Sequence, residues 1–260
     1  MSKTALITGA TSGIGYELSK VFAKNHYNLV IVSRNREKLD AVAGELSRLY
    51  DIQVKVIAKD LCKYPAPQAL YNETTDGGIQ IDVLVNNAGV GINGRLVDLS
   101  AAKHMDLIQL NIASLTILCK LFGADMVKMG SGGILNVAST AAFQAGPFMS
   151  AYYASKAYVL MFSEGLSAEL KGTDVTVTAL CPGPTRTDFF DSAGMKGSKL
   201  EKIPFMMTPA KVAEIGFSGL QKGKTIVIPG LVNKILAFSS RLFPRGMITA
   251  ITSYLNYEKN

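Results

Sequence analysis

Tyr152 and Lys156 stand four residues apart in a stretch, Tyr152–Leu170, whose pattern predicts a helix, so both side chains share one face. A free phenol has a pKa near ~10 and is a poor acid–base group at neutral pH. A nearby ammonium favours the phenolate. Lowering the pKa by ~3 units takes about 4 kcal/mol, within reach of one close charge in a partly dry site. Tyr153 points about 100° around the same helix and has no lysine four residues on. Ser139 closes the run Ile134–Ser139 at the end of an expected strand, where its hydroxyl either bonds a substrate carbonyl or caps the next turn. Asn111 is a poor helix former between Leu110 and Ile112, and a polar side chain on that apolar stretch needs a partner. The chemistry these four describe is proton transfer at a carbonyl or alcohol oxygen. A YxxxK spacing alone is weak, because common residues recur at one spacing by chance.

The second constellation is Thr8-Gly9-Ala10-Thr11-Ser12-Gly13-Ile14-Gly15, between the first apolar run and the first helical stretch. Glycines there let the backbone turn sharply and approach a pyrophosphate, and the following helix start supplies N–H donors and partial positive charge. The spacing is GxxxGxG, not GxGxxG, and the bland alternative is a tight strand-to-helix turn. At the end of the next strand, where NAD sites place an acid on the ribose 2′-hydroxyl, this chain has Ser33 and Arg34. A hydroxyl and a guanidinium suit a 2′-phosphate, so the expected cofactor is NADP(H), with NAD(H) as the alternative. Arg34 and Arg36 also suit the start of a solvated helix. Asn86-Asn87-Ala88-Gly89 closes the fourth strand, where small and amide residues line a crevice or make an ordinary turn.

These residues need elements to hold them at one edge. Seven short, mostly β-branched runs do so: Thr4–Thr8, Leu29–Val32, Val54–Ala58, Ile81–Val85, Ile134–Val137, Val175–Leu180 and Thr225–Ile228. Helical stretches lie between them: Ile14–Lys24, Arg36–Leu49, Ala101–Met129, Tyr152–Leu170 and Pro209–Gln221. The expected fold is α/β, a Rossmann-like doubly wound parallel sheet of seven strands with helices on both faces. One catalytic domain over residues 1–230 is expected, with an apolar, basic extension over 231–260 packed on it. The 260 residues, 48% hydrophobic and 18% charged, suit one such domain. A mean hydropathy of +0.22 argues against disorder. No uninterrupted apolar run reaches the roughly 18 residues that span a bilayer, and Met1-Ser2-Lys3 leads straight into a strand. Cys62, Cys119 and Cys181 are odd in number and far apart, which excludes a disulfide scaffold and a CxxC metal site and suits a reducing cytoplasm.

Together these landmarks resemble the short-chain dehydrogenase/reductase family over residues 4–229. The match is carried by the turn at 8–15, Asp60-Leu61, Asn86-Asn87-Ala88-Gly89, Asn111, Ser139, Tyr152-xxx-Lys156 and Pro182-Gly183-Pro184-Thr185. The resemblance implies that Tyr152 is the general acid in reduction and the base in oxidation. It gives Lys156 the task of lowering the Tyr152 pKa and binding the nicotinamide ribose. Ser139 orients the carbonyl, and Asn111 holds a water that links Lys156 to solvent. It further implies that Gly9, Thr11, Ser12, Gly13, Ile14, Gly15, Ser33 and Arg34 contact the cofactor. Asp60 and Leu61 then line the adenine pocket, Asn87, Ala88 and Gly89 run along the cofactor, and Pro182, Gly183, Thr185 and Thr187 border the nicotinamide. Ser12 departs from NADP(H) members that carry a basic residue there.

The substrate side is read from Phe143, Gln144, Phe148 and Met149 after Ser139, and from Phe189, Phe190, Met195, Phe205, Met206 and Met207 in the long Pro182–Thr208 loop. Aromatics and methionines suit a bulky apolar ligand, a steroid-like or long-chain ketone or alcohol; ordinary core accounts for about half of them. The net charge of +7 is concentrated at the end: residues 186–260 carry 11 basic and 5 acidic residues. Leu231–Tyr257 mixes Leu242, Phe243, Ile248 and Ile251 with Lys234, Arg241 and Arg245. It either packs on the body or a partner subunit, or lies on anionic lipid; Pro244 and Gly246 interrupt a continuous amphipathic helix and favour packing. No basic arm suits nucleic acid. The long stretches Ala101–Met129 and Tyr152–Leu170 pair subunits in many relatives, so a homodimer or homotetramer is expected. A serine hydrolase is disfavoured by having only His26 and His104 and no GxSxG. The non-enzyme alternative is a dinucleotide sensor or scaffold that lost its chemistry, and retention of the four proton-transfer residues argues against it.

Overall fold

The computed structural model describes residues 2–240 and 242–257; Arg241 of the basic tail lies outside them. Strands β1 (Thr4–Thr8), β2 (Asn28–Ser33), β3 (Val54–Ala58), β4 (Val83–Asn86), β5 (Gly132–Val137), β6 (Val175–Leu180) and β7 (Ile226–Val227) form one sheet in the order β3-β2-β1-β4-β5-β6-β7. Every neighbouring pair is parallel, with Leu6 opposite Val30 on one side and Leu84 on the other. Alternation sends Ala5 and Ile7 to one core and Leu6 to the other, which is why these strands read as continuous apolar runs.

Helices α1 (Gly13–Lys24), α2 (Arg36–Tyr50) and α7 (Pro209–Gln221) cover one face, where Leu18, Phe22, Leu39, Leu46 and Val212 are buried. Helices α3 (Ala66–Asp76), α4 (Ala101–Met129) and α5 (Ser150–Glu169) cover the other, burying Leu70, Leu118, Phe122 and Leu160. Helix α3 has no counterpart in the sequence reading. It is polar, capped by Pro65 with Pro67 in its first turn, and buries only Pro67, Leu70 and Thr74, too few for a visible stripe. The long Pro182–Thr208 connection contains one helical turn, α6 (Phe189–Ser192), and is tied at its ends by a bridge from Thr185 to Met207. The tail forms two helices, α8 (Leu231–Ser239) and α9 (Arg245–Asn256), with Pro244 as the N-cap of the second.

Helix α4 is long and apolar enough to cross a membrane by length and composition, although 44% of its most apolar window is buried against the domain. It holds no unbroken apolar run of that length, because Lys103, Asp106, Gln109 and Asn111 interrupt it. Its ladder is also not uniform: Gln109–Ser114 form a π turn between α-helical halves Ala101–Ile108 and Leu115–Met129.

Candidate active site

The strand order reverses between β1 and β4, and there the carboxyl edge opens into a cleft of about 650 Å3. Gly9 and Gly13 hold φ of +68° and +55°, values that disfavour other residues. Gly15 is required for a different reason: a Cβ there would strike the Gly9 carbonyl and the Asn87 amide. The Asn87 side chain pins the turn, donating from Nδ2 to the carbonyls of Thr8 at 2.9 Å and Gly9 at 3.1 Å. The Asn87 and Ala88 amides both donate to Thr8 Oγ1 at 3.0 Å. Ser12 caps α1 without a side-chain hydrogen bond, and the first turn holds no acid. The donors and positive end of that helix therefore face the cleft uncompensated, as an anion requires.

At the far end Ser33 shares a 3.3 Å hydrogen bond with Thr11. Arg34 and Lys38 both line the wall there. Arg36 instead pairs with Asp40 at 3.0 Å and does not line the cleft. Lys38 was not singled out in the sequence; its place in the first turn of α2, whose Asn35 cap accepts its amide at 2.8 Å, brings it beside Arg34. Asp60 accepts the Cys62 amide at 3.0 Å, and the Leu61 carbonyl accepts from Ser114 at 2.6 Å, fixing the floor. Thr11, Ile14, Gly89, Pro182, Gly183, Thr185 and Thr187 also border the space. A glycine cradle, an open helix start and two cations at one end fit an extended, phosphate-bearing dinucleotide.

Tyr152 projects from the first turns of α5 into the cleft, with Lys156 one turn later. The Lys156 ammonium is buried, donates to the Val137 carbonyl at 2.8 Å, and lies 5.7 Å from the centre of the Tyr152 ring. Ser139 follows β5 and faces the same space. It also caps the 3-10 turn Thr140–Phe143, accepting the Ala141 amide at 3.1 Å, as the capping alternative expects. Asn111 does not line the cleft. Its Oδ1 accepts the Val90 amide at 3.0 Å, and its Nδ2 donates to the Val90 carbonyl at 2.9 Å and to Ser155 Oγ at 3.0 Å. The polar side chain thus finds its partners within the fold, where the π turn presents it. Tyr153 is buried and donates to Asn256 Oδ1 at 3.3 Å.

Burial raises the Tyr152 pKa, with the Ser139 hydroxyl acting in the opposite direction. Burial also lowers Lys156 from 10.5 to about 8. Burial thus dominates the proton affinity of both groups. The stability consequence has a definite sign. Between about 8 and 10.5 the unfolded chain holds a proton on Lys156 that the folded chain releases, so stability from this group rises with pH across that window. Relative to Lys156→Met, the ligand-free wild type should gain about 3 kcal/mol over that range. The Val137 carbonyl orphaned in the variant adds an offset that does not vary with pH. Denaturant melts of both proteins at several pH values test this; a constant difference would show that the buried ammonium carries no penalty.

On the substrate side Gln144, Met149, Phe189, Phe190, Met195 and Phe205 line the cleft, and Phe189 packs 5.2 Å from Tyr152. Phe143 joins the α3–α5 core, Phe148 packs on Tyr257, Met206 joins the cluster around Phe190, and Met207 packs on the α1 side. Leu200, Ile203, Leu236, Ala237 and Leu255 complete the wall; the last three were missed because the tail was read as an extension. Cys181 is buried, and burial pushes its thiol up to about 12, which disfavours the thiolate. His26 is exposed beyond the end of α1, and His104 faces the Ser100 carbonyl at 3.0 Å; neither reaches Ser139.

A dinucleotide cradle at a Rossmann switch point, with tyrosine, lysine and serine converging beside it, defines a nicotinamide-dependent oxidoreductase site. The model of the short chain dehydrogenase family matches residues 3–196, and the chain belongs to that family, whose members act on CH–OH and keto groups with NAD(P). The chain is 35% identical over 234 residues to a very-long-chain 3-oxoacyl-CoA reductase of Anas platyrhynchos, covering 86% of this chain and 72% of that one. Among solved structures it is similar to a short-chain dehydrogenase of Sphingobium yanoikuyae in complex with NADPH (31% identity, TM-score 0.83, 95% of each chain). It is also similar to the bulky-bulky ketone specific alcohol dehydrogenase of Comamonas testosteroni (28% identity, TM-score 0.78, 95% of this chain and 93% of that one).

Proposed function

We propose that this chain is an NADP(H)-dependent reductase of bulky, lipophilic ketones and dehydrogenase of the matching secondary alcohols. The observation that carries the reading is the apolar part of the cleft wall, where Met149, Phe189, Phe190, Met195 and Leu200 cluster with Tyr152 and Ile203 also lines the space. Such walls favour an apolar body and leave orientation to the few polar groups at one end. The bound nicotinamide supplies or takes the hydride. The chain's own residues do the rest: Ser139 holds the carbonyl oxygen, Tyr152 gives it a proton, Lys156 holds the cofactor ribose, and the phenylalanines exclude water. The Anas and Comamonas proteins, named for long-chain and bulky ketone chemistry, support this substrate class.

Arg34 and Lys38 support the NADP(H) preference. An Arg–phosphate hydrogen-bonded contact is worth about 1.5–3 kcal/mol. Arg34→Glu should therefore reduce the ratio of kcat/KM for NADPH over NADH by about 10–100-fold, since it also places a like charge against the phosphate. An unchanged ratio removes Arg34 from cofactor choice. The substrate class is tested by steady-state assays over a ketone panel: turnover of small polar ketones far above that of steroids and fatty ketones defeats it. Exposed Met105, Ile108, Tyr158 and Met161 on α4 and α5 support assembly of a homodimer or homotetramer through those helices, which light scattering reads directly. The three free cysteines suit a cytoplasmic location.

A further inference from the structure

Half of the molecule's exposed large hydrophobic residues are concentrated in a tenth of its chain. Of 21 such residues among those described, 11 fall within Leu231–Tyr257. The inner faces of α8 and α9 are seated: Asn233, Ala237, Thr252 and Asn256 are buried, and Asn256 Nδ2 donates to the Pro147 carbonyl at 3.0 Å. The outer faces are not. Leu231, Ile235 and Phe238 repeat at three- and four-residue spacing along α8, and Met247, Ile251 and Tyr254 do so along α9, all open to solvent. Pro244 does not destroy the amphipathic pattern; it divides it between two helices. Scattered exposed leucines need no explanation, but apolar side chains concentrated on the outer faces of two successive helices mark an interaction surface.

Charge identifies the occupant. No Asp or Glu occurs between residues 231 and 257, while exposed Lys234 and Arg245 stand among the apolar side chains. At the rim the Lys199 ammonium sits 3.2 Å over the Tyr254 ring. A two-fold contact with a second copy would set this patch against itself, bringing basic residues together with no acid inside the segment to neutralise them. An anionic lipid surface matches both properties, since it takes apolar and aromatic side chains at the headgroup boundary and cations at the phosphates. We propose that α8 and α9 dock this protein on anionic bilayers as a peripheral, non-spanning contact. Leu236 and Leu255, on these same helices, line the cleft, so docking brings the cleft wall to the bilayer. The docking does not depend on which ketone is reduced.

Co-sedimentation with phosphatidylcholine vesicles, with and without phosphatidylglycerol, tests the proposal on the full chain. Wild type is expected to pellet with the anionic vesicles at low salt, at least tenfold more than with neutral ones, and to be partly released at high salt. The Ile235→Asp/Ile251→Asp variant, altered only at exposed positions outside the cleft, should lose at least tenfold of this binding while keeping its melting temperature and mass by light scattering. Lys234→Glu leaves the apolar face intact and should abolish the preference for anionic over neutral vesicles. Wild type remaining in the supernatant with both vesicles overturns the proposal. So does a wild-type oligomer that dissociates in the double variant, which gives the face to a second copy.

Discussion

Tyr152→Phe should lower kcat for ketone reduction by about 10²–10⁴-fold, the range that a positioned general acid contributes. The substitution deletes one hydroxyl and keeps the ring that packs 5.2 Å from Phe189, so cofactor binding and melting temperature should hardly change. Burial raises the phenol pKa, so the proton needed for reduction is already in place at neutral pH. Alcohol oxidation needs the opposite form. Its rate should climb with pH as the phenolate is populated, whereas reduction should stay level and then fall. Tyr153→Phe is the control, because that hydroxyl is engaged by Asn256. It should leave kcat within a few-fold of wild type. Steady-state rates in both directions decide the matter, and a Tyr152→Phe enzyme within tenfold of wild type means that the proton comes from elsewhere.

Ser139→Ala should lower kcat by about 10²–10³-fold, the loss typical of removing one donor aimed at developing oxygen charge. The same serine caps Thr140–Phe143 through the Ala141 amide, so the variant should also lose about 1 kcal/mol of stability. The two effects separate experimentally. Capping loss appears in the melt, with and without ketone, whereas loss of transition-state stabilisation lowers kcat and kcat/KM together. If KM alone rises, Ser139 binds ground state and transition state equally and does not assist the chemical step.

Much of this arrangement was legible because each signal was local. Strands buried on both faces are bare β-branched runs, and the turn at Gly9–Gly15 is forced by left-handed backbone and a close approach that few other residues permit. Tyr152 and Lys156 are linked by helical periodicity alone. What escaped was contact-dependent. Asn111 reads as an unpaired polar residue until Val90 and Ser155, distant in sequence, are brought to it. Lys38 gains its place only when α2 is docked beside the cleft. Helix α3 is held by neighbours more than by a stripe of its own, and the wall supplied by Leu236 and Leu255 exists only because the tail folds back. The lowered proton affinity of Lys156 escaped for the same reason: spacing places it near Tyr152, but burial sets its pKa.

The widened turn at Gln109–Ser114 gives α4 one place where its residue count can change without turning the rest of the helix. It accommodates one residue beyond the ordinary spiral, and the side chains downstream, Leu115, Leu118, Phe122 and Met126, are set to face the sheet with that surplus included. Excising the surplus position there would let the ladder close as an ordinary α-helix with the buried row still facing the sheet, while swinging Asn111 off Val90. Lengthening the neighbouring surface loops is a mild perturbation by comparison. In this fold the tolerated insertions and deletions should therefore cluster in loops, and within α4 a one-residue deletion should spare the core only at residues 109–114, where it costs the Asn111 contacts.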